Sequence, residues 1–476
     1  MSTAYDVLVL GAGPAGTAAA VRAAELGAAV AVVEAGRVGG TCVNTGCVPT
    51  RVLAKTARIM RDIRSAHEAG IDVAEPQVAW PRVVTRVRRV IENLQAVKQT
   101  PESFAAAGAD LYMEGRGWFL DPHLVELESG TRLEAGAVVV CVGGHSRLLP
   151  IDGAHLALTV ERVLDLPELP RAVAIVGSGS TGAQLATIFC AFGCLVTLLE
   201  LAPRVMPGVD EGISEVLAAS FAASGIEVVT GIDGVTAIGQ RSDGGRTLTY
   251  EAGRQQVALD VGAVLLSVGW PAAIEGLGLE AAGVRVDRGR VPVNAFLQTN
   301  VPHVYVPGDA NGDAMLVQAA RFEAEAAATN AVLGPTHSVS HALLPFGGFT
   351  DPDYAGVGLT EAEARERDPQ CLVAVVPYAE MERAVIDGRT TGFCKLIADR
   401  RRSLLLGAHA VGESAVEVIQ AVTTAMAAGV DVATLARVEF AYPTYTAIVG
   451  QAAGQLLAEP AQARTRARPP APGRNG

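Results

Sequence analysis

Gly11-Ala12-Gly13-Pro14-Ala15-Gly16 lies between a short apolar stretch, Tyr5 to Leu10, and an alanine-rich one, Thr17 to Leu26. The first stretch is β-branched and reads as a buried strand; the second reads as a helix. Ala29 to Val33 reads as another strand and ends at Glu34. In this strand–loop–helix context each glycine has a physical task. Gly11 permits a tight turn, Gly13 lets backbone approach a pyrophosphate, and Gly16 lets the helix pack on the strand. The N–H groups and dipole of the helix then face the phosphates. Glu34 is placed to accept hydrogen bonds from ribose hydroxyls, so the unit predicts a dinucleotide site.

The unit recurs. Ala172 to Val176 reads as a strand, Gly177-Ser178-Gly179-Ser180-Thr181-Gly182 as the loop, and Ala183 to Phe192 as the helix. Leu195 to Leu199 is the following strand, ending at Glu200. The acid follows the last glycine by 18 residues in both copies, from Gly16 to Glu34 and from Gly182 to Glu200. Two dinucleotide sites in one chain imply a flavin and a nicotinamide. At the second site the carboxylate of Glu200 repels a 2′-phosphate, which favours NADH over NADPH; Arg204, four residues on, opposes that preference.

Two further segments fit a flavoprotein. Ala137 to Val142 reads as an apolar strand before Gly143-Gly144. Val304 to Pro307 reads as a strand leading into Gly308-Asp309, before a helix from Met315 to Val332. Asp309 is a candidate partner for a flavin sugar-chain hydroxyl. Beyond Pro345, strands at Cys371–Val376, Gly392–Ile397 and Leu404–Val411 precede helices at Ser414–Ala428 and Tyr445–Leu457. Strands followed by helices read as a separate α+β domain. The chain ends in an Ala/Pro/Arg/Gly-rich stretch, 460–476, expected to be a disordered tail.

The 476 residues suffice for several domains at ~150 residues each. Half are apolar and 18% are charged, which excludes a disordered protein. The net charge of −12 argues against nucleic acid and anionic membrane as partners. Arginine carries nearly all the positive charge, with lysine only at positions 55, 98 and 395. The N-terminus lacks the pattern of a secretory signal, and no apolar run reaches the ~18 residues of a membrane span. A cytoplasmic protein is expected. In that reducing compartment, a close cysteine pair is more often catalytic or metal-binding than structural.

Such a pair stands in Gly39-Gly40-Thr41-Cys42-Val43-Asn44-Thr45-Gly46-Cys47-Val48-Pro49-Thr50. No second cluster with ligand spacing accompanies it, so no metal site is expected. In a regular helix, residues five apart have Cα atoms roughly 8–9 Å apart. A disulfide needs ~4.4–6.8 Å. Asn44 and Gly46 are the residues that tolerate the backbone distortion needed to close that gap.

This segment, with Gly11–Gly16, Gly177–Gly182, Gly308-Asp309, Phe349-Thr350-Asp351-Pro352 and Pro443-Thr444, resembles the class I pyridine nucleotide–disulfide oxidoreductases. These include dihydrolipoamide dehydrogenase, glutathione and mycothione reductases, mercuric reductase and the soluble transhydrogenase. The likeness runs from Tyr5 to about Leu457. It implies an α/β fold with two Rossmann-like domains and a C-terminal α+β dimerisation domain. The parcels are 1–150 for FAD, 151–272 for NAD(P), 273–344 central and completing the FAD site, and 345–459 for dimerisation. The resemblance also implies a homodimer whose active site is shared between subunits.

By the same resemblance, Cys42 and Cys47 form the redox disulfide. Cys47 is the thiolate against the flavin, and Cys42 the interchange thiol facing substrate. Gly40, Thr41 and Gly143 join the flavin site. The family's Lys beside the flavin aligns with Arg51, its Glu partner with Gln184, and its nicotinamide-gating Tyr with Ser180. The partner-donated His-Pro-Thr-x-x-Glu aligns with Tyr442-Pro443-Thr444-Tyr445-Thr446-Ala447. Disulfide reduction needs an acid of near-neutral pKa for the leaving thiolate, and a Tyr of pKa ~10 is a weak substitute. The expected activity is transfer of electrons from NADH through flavin and the Cys42–Cys47 pair to or from a thiol, disulfide or other acceptor. The alternatives are reduction of a quinone or metal ion by NAD(P)H, and a non-enzymatic flavin redox sensor.

Overall fold

The computed structural model describes residues 3–98, 101–400 and 404–466. The chain divides into two compact units. One comprises Met1–Leu201 with Ile232–His341, and the other Ala202–Gly231 with Ala342–Gly476.

The first unit is built on the parallel strand Thr3–Leu10, which pairs with Val30–Val33 on one side and Arg132–Val140 on the other. Ala109–Tyr112 extends the sheet beyond Val30–Val33, and Val304–Tyr305 pairs parallel with Arg132–Val140. Strands covered on both faces need continuous apolar sequence. Val7, Leu8, Val9 and Leu10 meet that need and are all buried. The following helix, Pro14–Glu25, starts three residues before the alanine run expected to form it. Pro14 is well placed there, since the first helical N–H has no intrahelical partner and the proline ring presets φ. Helix Pro14–Glu25 packs its alanines against Val317–Leu333, whose Ala320, Ala324, Ala327 and Ala328 are buried with them. Small residues on both helices permit that close approach.

The second parallel sheet of this unit contains Ala263–Leu266, Ala172–Val176 and Leu195–Glu200 in that order, with Ser180–Ala191 as the crossover helix. An antiparallel meander, Gly234–Gln240, Arg246–Ala252 and Gln255–Val261, accompanies it.

In the second unit, five antiparallel strands run in the order Phe346–Gly348, Tyr354–Gly358, Leu405–Val411, Phe393–Ala398, Leu372–Pro377. Helices Ala415–Ala427 and Ala447–Arg466 share a core with the sheet, through Val418, Ile419, Val422, Ile448, Val449 and Ala452. Strands followed by helices is the order expected, with two strands more than the sequence indicated. The stretch expected as a tail from 460 falls on the last helix as far as Arg466, and residues 467–476 lie outside the described residues. The architecture is thus α/β, with two Rossmann-like parallel sheets and a C-terminal α+β domain. No helix among the described residues is long and apolar enough to cross a membrane.

Candidate active site

The two glycine loops are near copies in geometry. Gly11 and Gly177 have φ of +100° and +94°, in the left-handed region. A Cβ at either would meet the carbonyl oxygen of Cys141 at 2.5 Å or of Ser267 at 2.2 Å. A Cβ at Gly16 or Gly182 would lie 1.7 or 1.8 Å from the carbonyl oxygen of the loop's first glycine. These four glycines are demanded by the polypeptide itself.

Gly13 and Gly179 are different. Both have extended backbone that any residue adopts. A Cβ at Gly13 would meet only the Cα of Gly40, at 3.8 Å, and one at Gly179 nothing within 4 Å. The protein leaves room for a methyl group at each, so glycine there serves something outside the chain. Each precedes a 12-residue helix whose first turn has no side-chain cap and no acidic residue. Such an end offers unpaired N–H groups and a positive dipole to a pyrophosphate. Both loops therefore fit the dinucleotides that the sequence implies.

The two acids are anchored to their loops. Glu34 Oε2 accepts from the Ala12 N–H at 2.7 Å and Oε1 from the Gly36 N–H at 2.8 Å. Glu200 Oε2 accepts from both the N–H and the Oγ of Ser178, at 2.8 and 2.7 Å. Arg204, expected to soften the effect of Glu200, donates instead to the carbonyls of Met206, Pro207 and Val209.

The cysteine segment packs directly on the first loop. Gly39 N–H donates to the Ala12 carbonyl at 2.8 Å, and a Cβ at Gly40 would approach the Cα of Gly13 to 2.9 Å. One helix, Gly40–Asn44, ends there, and another, Cys47–Arg64, begins after Thr45-Gly46. This break brings Cys42 and Cys47 into hydrogen-bond contact as thiols. Gly46 contributes through its backbone, as expected: its N–H bonds to the Thr41 carbonyl at 2.7 Å. Asn44 acts otherwise. Its φ is not positive; its side-chain amide donates to the carbonyls of Arg37, Val38 and Gly40, and its Oδ1 accepts from Gln95 at 2.6 Å. Asn44 ties the loop by its side chain, and the distortion belongs to Thr45-Gly46.

The two sulfurs are electrostatically unlike. The Cys42 hydrogen bond, aided by the charge of Arg51, lowers the Cys47 thiol to about 7. Cys47 is also the first residue of an 18-residue helix without a side-chain cap, where the dipole favours a thiolate. Cys42 moves the opposite way, because its proton is held in the bond to Cys47 and because it is partly buried.

Arg51, Gln184 and Ser180 form one connected chain. Arg51 Nη1 donates to Gln184 Oε1. Gln184 Nε2 donates to the Ser180 carbonyl at 2.7 Å and to its Oγ at 3.2 Å. The network joins the cysteine helix to the first turn of the second glycine-loop helix. Asp309 Oδ2 accepts from the indole N–H of Trp270 at 2.8 Å, and burial pushes its carboxyl up. Trp270 carries no spacing signal and was not legible in the sequence.

Beneath the Gly308 turn, the buried Glu323 accepts from Gly308 N–H, Asn311 Nδ2 and His341 Nε2 at 2.6, 2.8 and 2.6 Å. Asp313, Glu323 and His341 could together hold a metal ion, yet both oxygens of Glu323 are already engaged, Oε2 by the Gly308 turn and Oε1 by His341. Gly143 has φ +69° and its carbonyl accepts from Ala273 N–H at 2.9 Å.

The other candidates lie in the second unit. Tyr442 is 76% exposed, and Ala447 opens the last helix. Tyr445 donates to Asp387 at 2.9 Å and stacks on Tyr378. The last histidine, His409, is fully buried and bonds to the Leu359 carbonyl, so it offers no surface acid.

Two dinucleotide loops with a polarised thiol pair packed on the first define a flavin- and nicotinamide-dependent disulfide oxidoreductase. The chain belongs to the pyridine nucleotide-disulphide oxidoreductase family, whose main part matches residues 5–324 and whose dimerisation domain matches residues 344–453. It is similar to the dihydrolipoyl dehydrogenase of Bacillus subtilis, at 31% identity over 95% of this chain and 98% of that protein. The dihydrolipoyl dehydrogenase of Mycobacterium tuberculosis is 32% identical, over 93% of this chain and 96% of its own. Among solved structures, the HOCl-induced flavoprotein disulfide reductase RclA from Escherichia coli superposes with a TM-score of 0.83 at 25% identity, covering 94% of this chain and 99% of that one. The family uses FAD and NAD(P)H, and this chain is accordingly a flavin-dependent NAD(P)H oxidoreductase.

Proposed function

We propose that the protein is a homodimeric NADH-dependent reductase that delivers electrons through Cys42 and Cys47 to an acceptor other than a common disulfide. The observation that carries this reading is the thiol pair itself: bonded to each other, packed on the first glycine loop, and split so that Cys47 holds the negative charge. FAD, when bound, accepts hydride from NADH and passes two electrons on. Gly11, Gly13, Gly16, Glu34, Gly40, Thr41, Gly143 and Asp309 would hold it, with Gly177, Gly179, Gly182 and Glu200 holding the nicotinamide coenzyme. In parcels, 1–150 and 273–344 serve FAD, 151–272 NADH, and 345–459 the dimer. Arg51 stabilises the Cys47 thiolate, and Gln184 keeps Arg51 in place.

With a disulfide substrate RSSR, Cys42 passes its proton to Cys47 and attacks one sulfur. One RS⁻ leaves and a mixed disulfide forms. Cys47, losing its proton to water, then attacks the Cys42 sulfur, releasing the second RS⁻ and closing the Cys42–Cys47 disulfide. Each leaving thiolate needs a proton. Tyr442 and Ala447 stand where the family supplies His and Glu, so that proton is poorly provided. Removing such an acid costs roughly 10²- to 10⁴-fold in rate.

A second reading, a metal-ion acceptor, is favoured by the same replacement, because a soft cation bound by two thiolates leaves no thiolate to protonate. NADH consumption with lipoamide, glutathione disulfide, a quinone, Cu(II) and Hg(II) tests both. Slow turnover of the two disulfides with faster turnover of another acceptor is expected. Fast lipoamide turnover that survives Tyr442→Phe would overturn the reading.

A further inference from the structure

We infer that Ser178 is a specificity-determining residue: its hydroxyl fixes the carboxylate of Glu200 in the orientation that accepts NADH and rejects NADPH. The inference rests on the proposed NADH preference and names the device behind it. The two glycine loops supply an internal comparison. In both, the N–H of the residue between the first two glycines bonds to the acid's Oε2, at 2.7 Å from Ala12 and 2.8 Å from Ser178. In both, the first glycine has a similar positive φ, and the first and third glycines each crowd a backbone carbonyl oxygen in the same way.

The loops differ in what else anchors the acid. Glu34 has each oxygen held by a backbone N–H, from Ala12 and from Gly36. At Glu200 the Oγ of Ser178 donates to the oxygen already taken by the Ser178 N–H, at 2.7 Å. Ser178 is fully buried, so water does not compete for this bond. Two donors on one residue hold Oε2 in place. Hydrogen bonds to an ionised carboxylate are short and about twice as strong as neutral ones. The carboxylate is thereby held where ribose hydroxyls would be met, and it cannot swing aside to relieve repulsion from a 2′-phosphate.

Because Ala12 occupies the equivalent place in the first loop, Ser178→Ala keeps a backbone shape this chain already uses. The change should raise KM for NADH about 3- to 10-fold, less than the loss of a direct bond to a charged ligand, because the bond lies within the protein. The NADPH rate should hold or rise, so the NADH/NADPH ratio of kcat/KM falls by at least that factor. Ser178 works through Glu200, so in the Glu200→Gln background Ser178→Ala should leave the ratio nearly unchanged.

The test uses the FAD-loaded enzyme, with flavin content confirming that each variant is folded. Steady-state kinetics with both coenzymes, and calorimetric titration with NAD⁺ and NADP⁺, are run on wild type, both single variants and the double variant. A wild type that prefers NADPH would overturn the reading of Glu200 itself. A wild type that prefers NADH, with a ratio unmoved in Ser178→Ala or falling equally in both backgrounds, would overturn the role of Ser178 alone.

Discussion

Arg51→Gln removes the cation that helps hold the Cys47 thiol at about 7, while leaving the larger cause, the Cys42 hydrogen bond, in place. At pH 7 a thiol of that pKa is roughly half ionised. Losing a neighbouring opposite charge typically moves a thiol by about one unit, which leaves roughly 10% thiolate at pH 7. Alkylation by iodoacetamide follows the thiolate, so Cys47 in the dithiol protein should react about 5-fold more slowly at pH 7. The rates should converge above pH ~9.5, where both proteins are ionised. The sign is fixed: a lowered pKa means the thiolate is present above about 7 and lost below it, and the variant moves that limb upward. Cys42→Ala should move it further, because it removes the larger cause. Peptide mapping of the alkylated Cys47 over pH 5 to 10 reads all three proteins. A variant limb that stays at about 7, or moves lower, would refute the electrostatic role of Arg51.

Gly13→Ala should leave the thermal stability of the flavin-free protein nearly unchanged, because its Cβ meets only Gly40 Cα at 3.8 Å, yet abolish FAD retention. Gly16→Ala should instead destabilise the protein whether or not FAD is present, since its Cβ would lie 1.7 Å from the Gly11 carbonyl oxygen. Calorimetry with and without FAD separates the two. In the second unit, buried Lys395 bonds Asp210 and Glu361 at 2.8 and 2.7 Å. Lys395→Met strands a buried carboxylate and should cost about 3–5 kcal/mol in denaturant unfolding. Despite burial, the Lys395 bond holds Asp210 below its usual range, so that stability is present above pH ~4 and falls away in stronger acid. Lys395 is held above its usual range, so its share is lost as pH rises beyond ~10.5. A Lys395→Met variant as stable as wild type at pH 7 would show the cluster to be dispensable.

The parts of the site legible in the sequence are those whose partners lie close along the chain. Gly11 to Glu34 and Gly177 to Glu200 are each one strand–helix–strand unit, so spacing alone locates them. The parts that were not legible depend on residues brought together from far away. Trp270 meets Asp309 across 39 positions, and Asn44 meets Gln95 across 51. The sequence marks Asn44 for its tolerance of unusual backbone angles, but a side-chain amide with three carbonyl acceptors is the stronger tie. Strand Phe346–Gly348 carries one residue with a side chain and Tyr354–Gly358 carries three, against two glycines each, so local propensity is too weak to mark them. Antiparallel pairing with Leu405–Val411 makes Tyr354–Gly358 a strand all the same.

The central claim is that the thiol pair carries the electrons, and anaerobic reduction with one equivalent of NADH tests it most directly. About two new titratable thiols per chain should appear, with a long-wavelength absorbance from the Cys47 thiolate beside the flavin. That band should already be present in unreduced Cys42→Ser and absent from Cys47→Ser. Bleaching of the flavin by that one equivalent, with no new thiols and both variants indistinguishable from wild type, would contradict it.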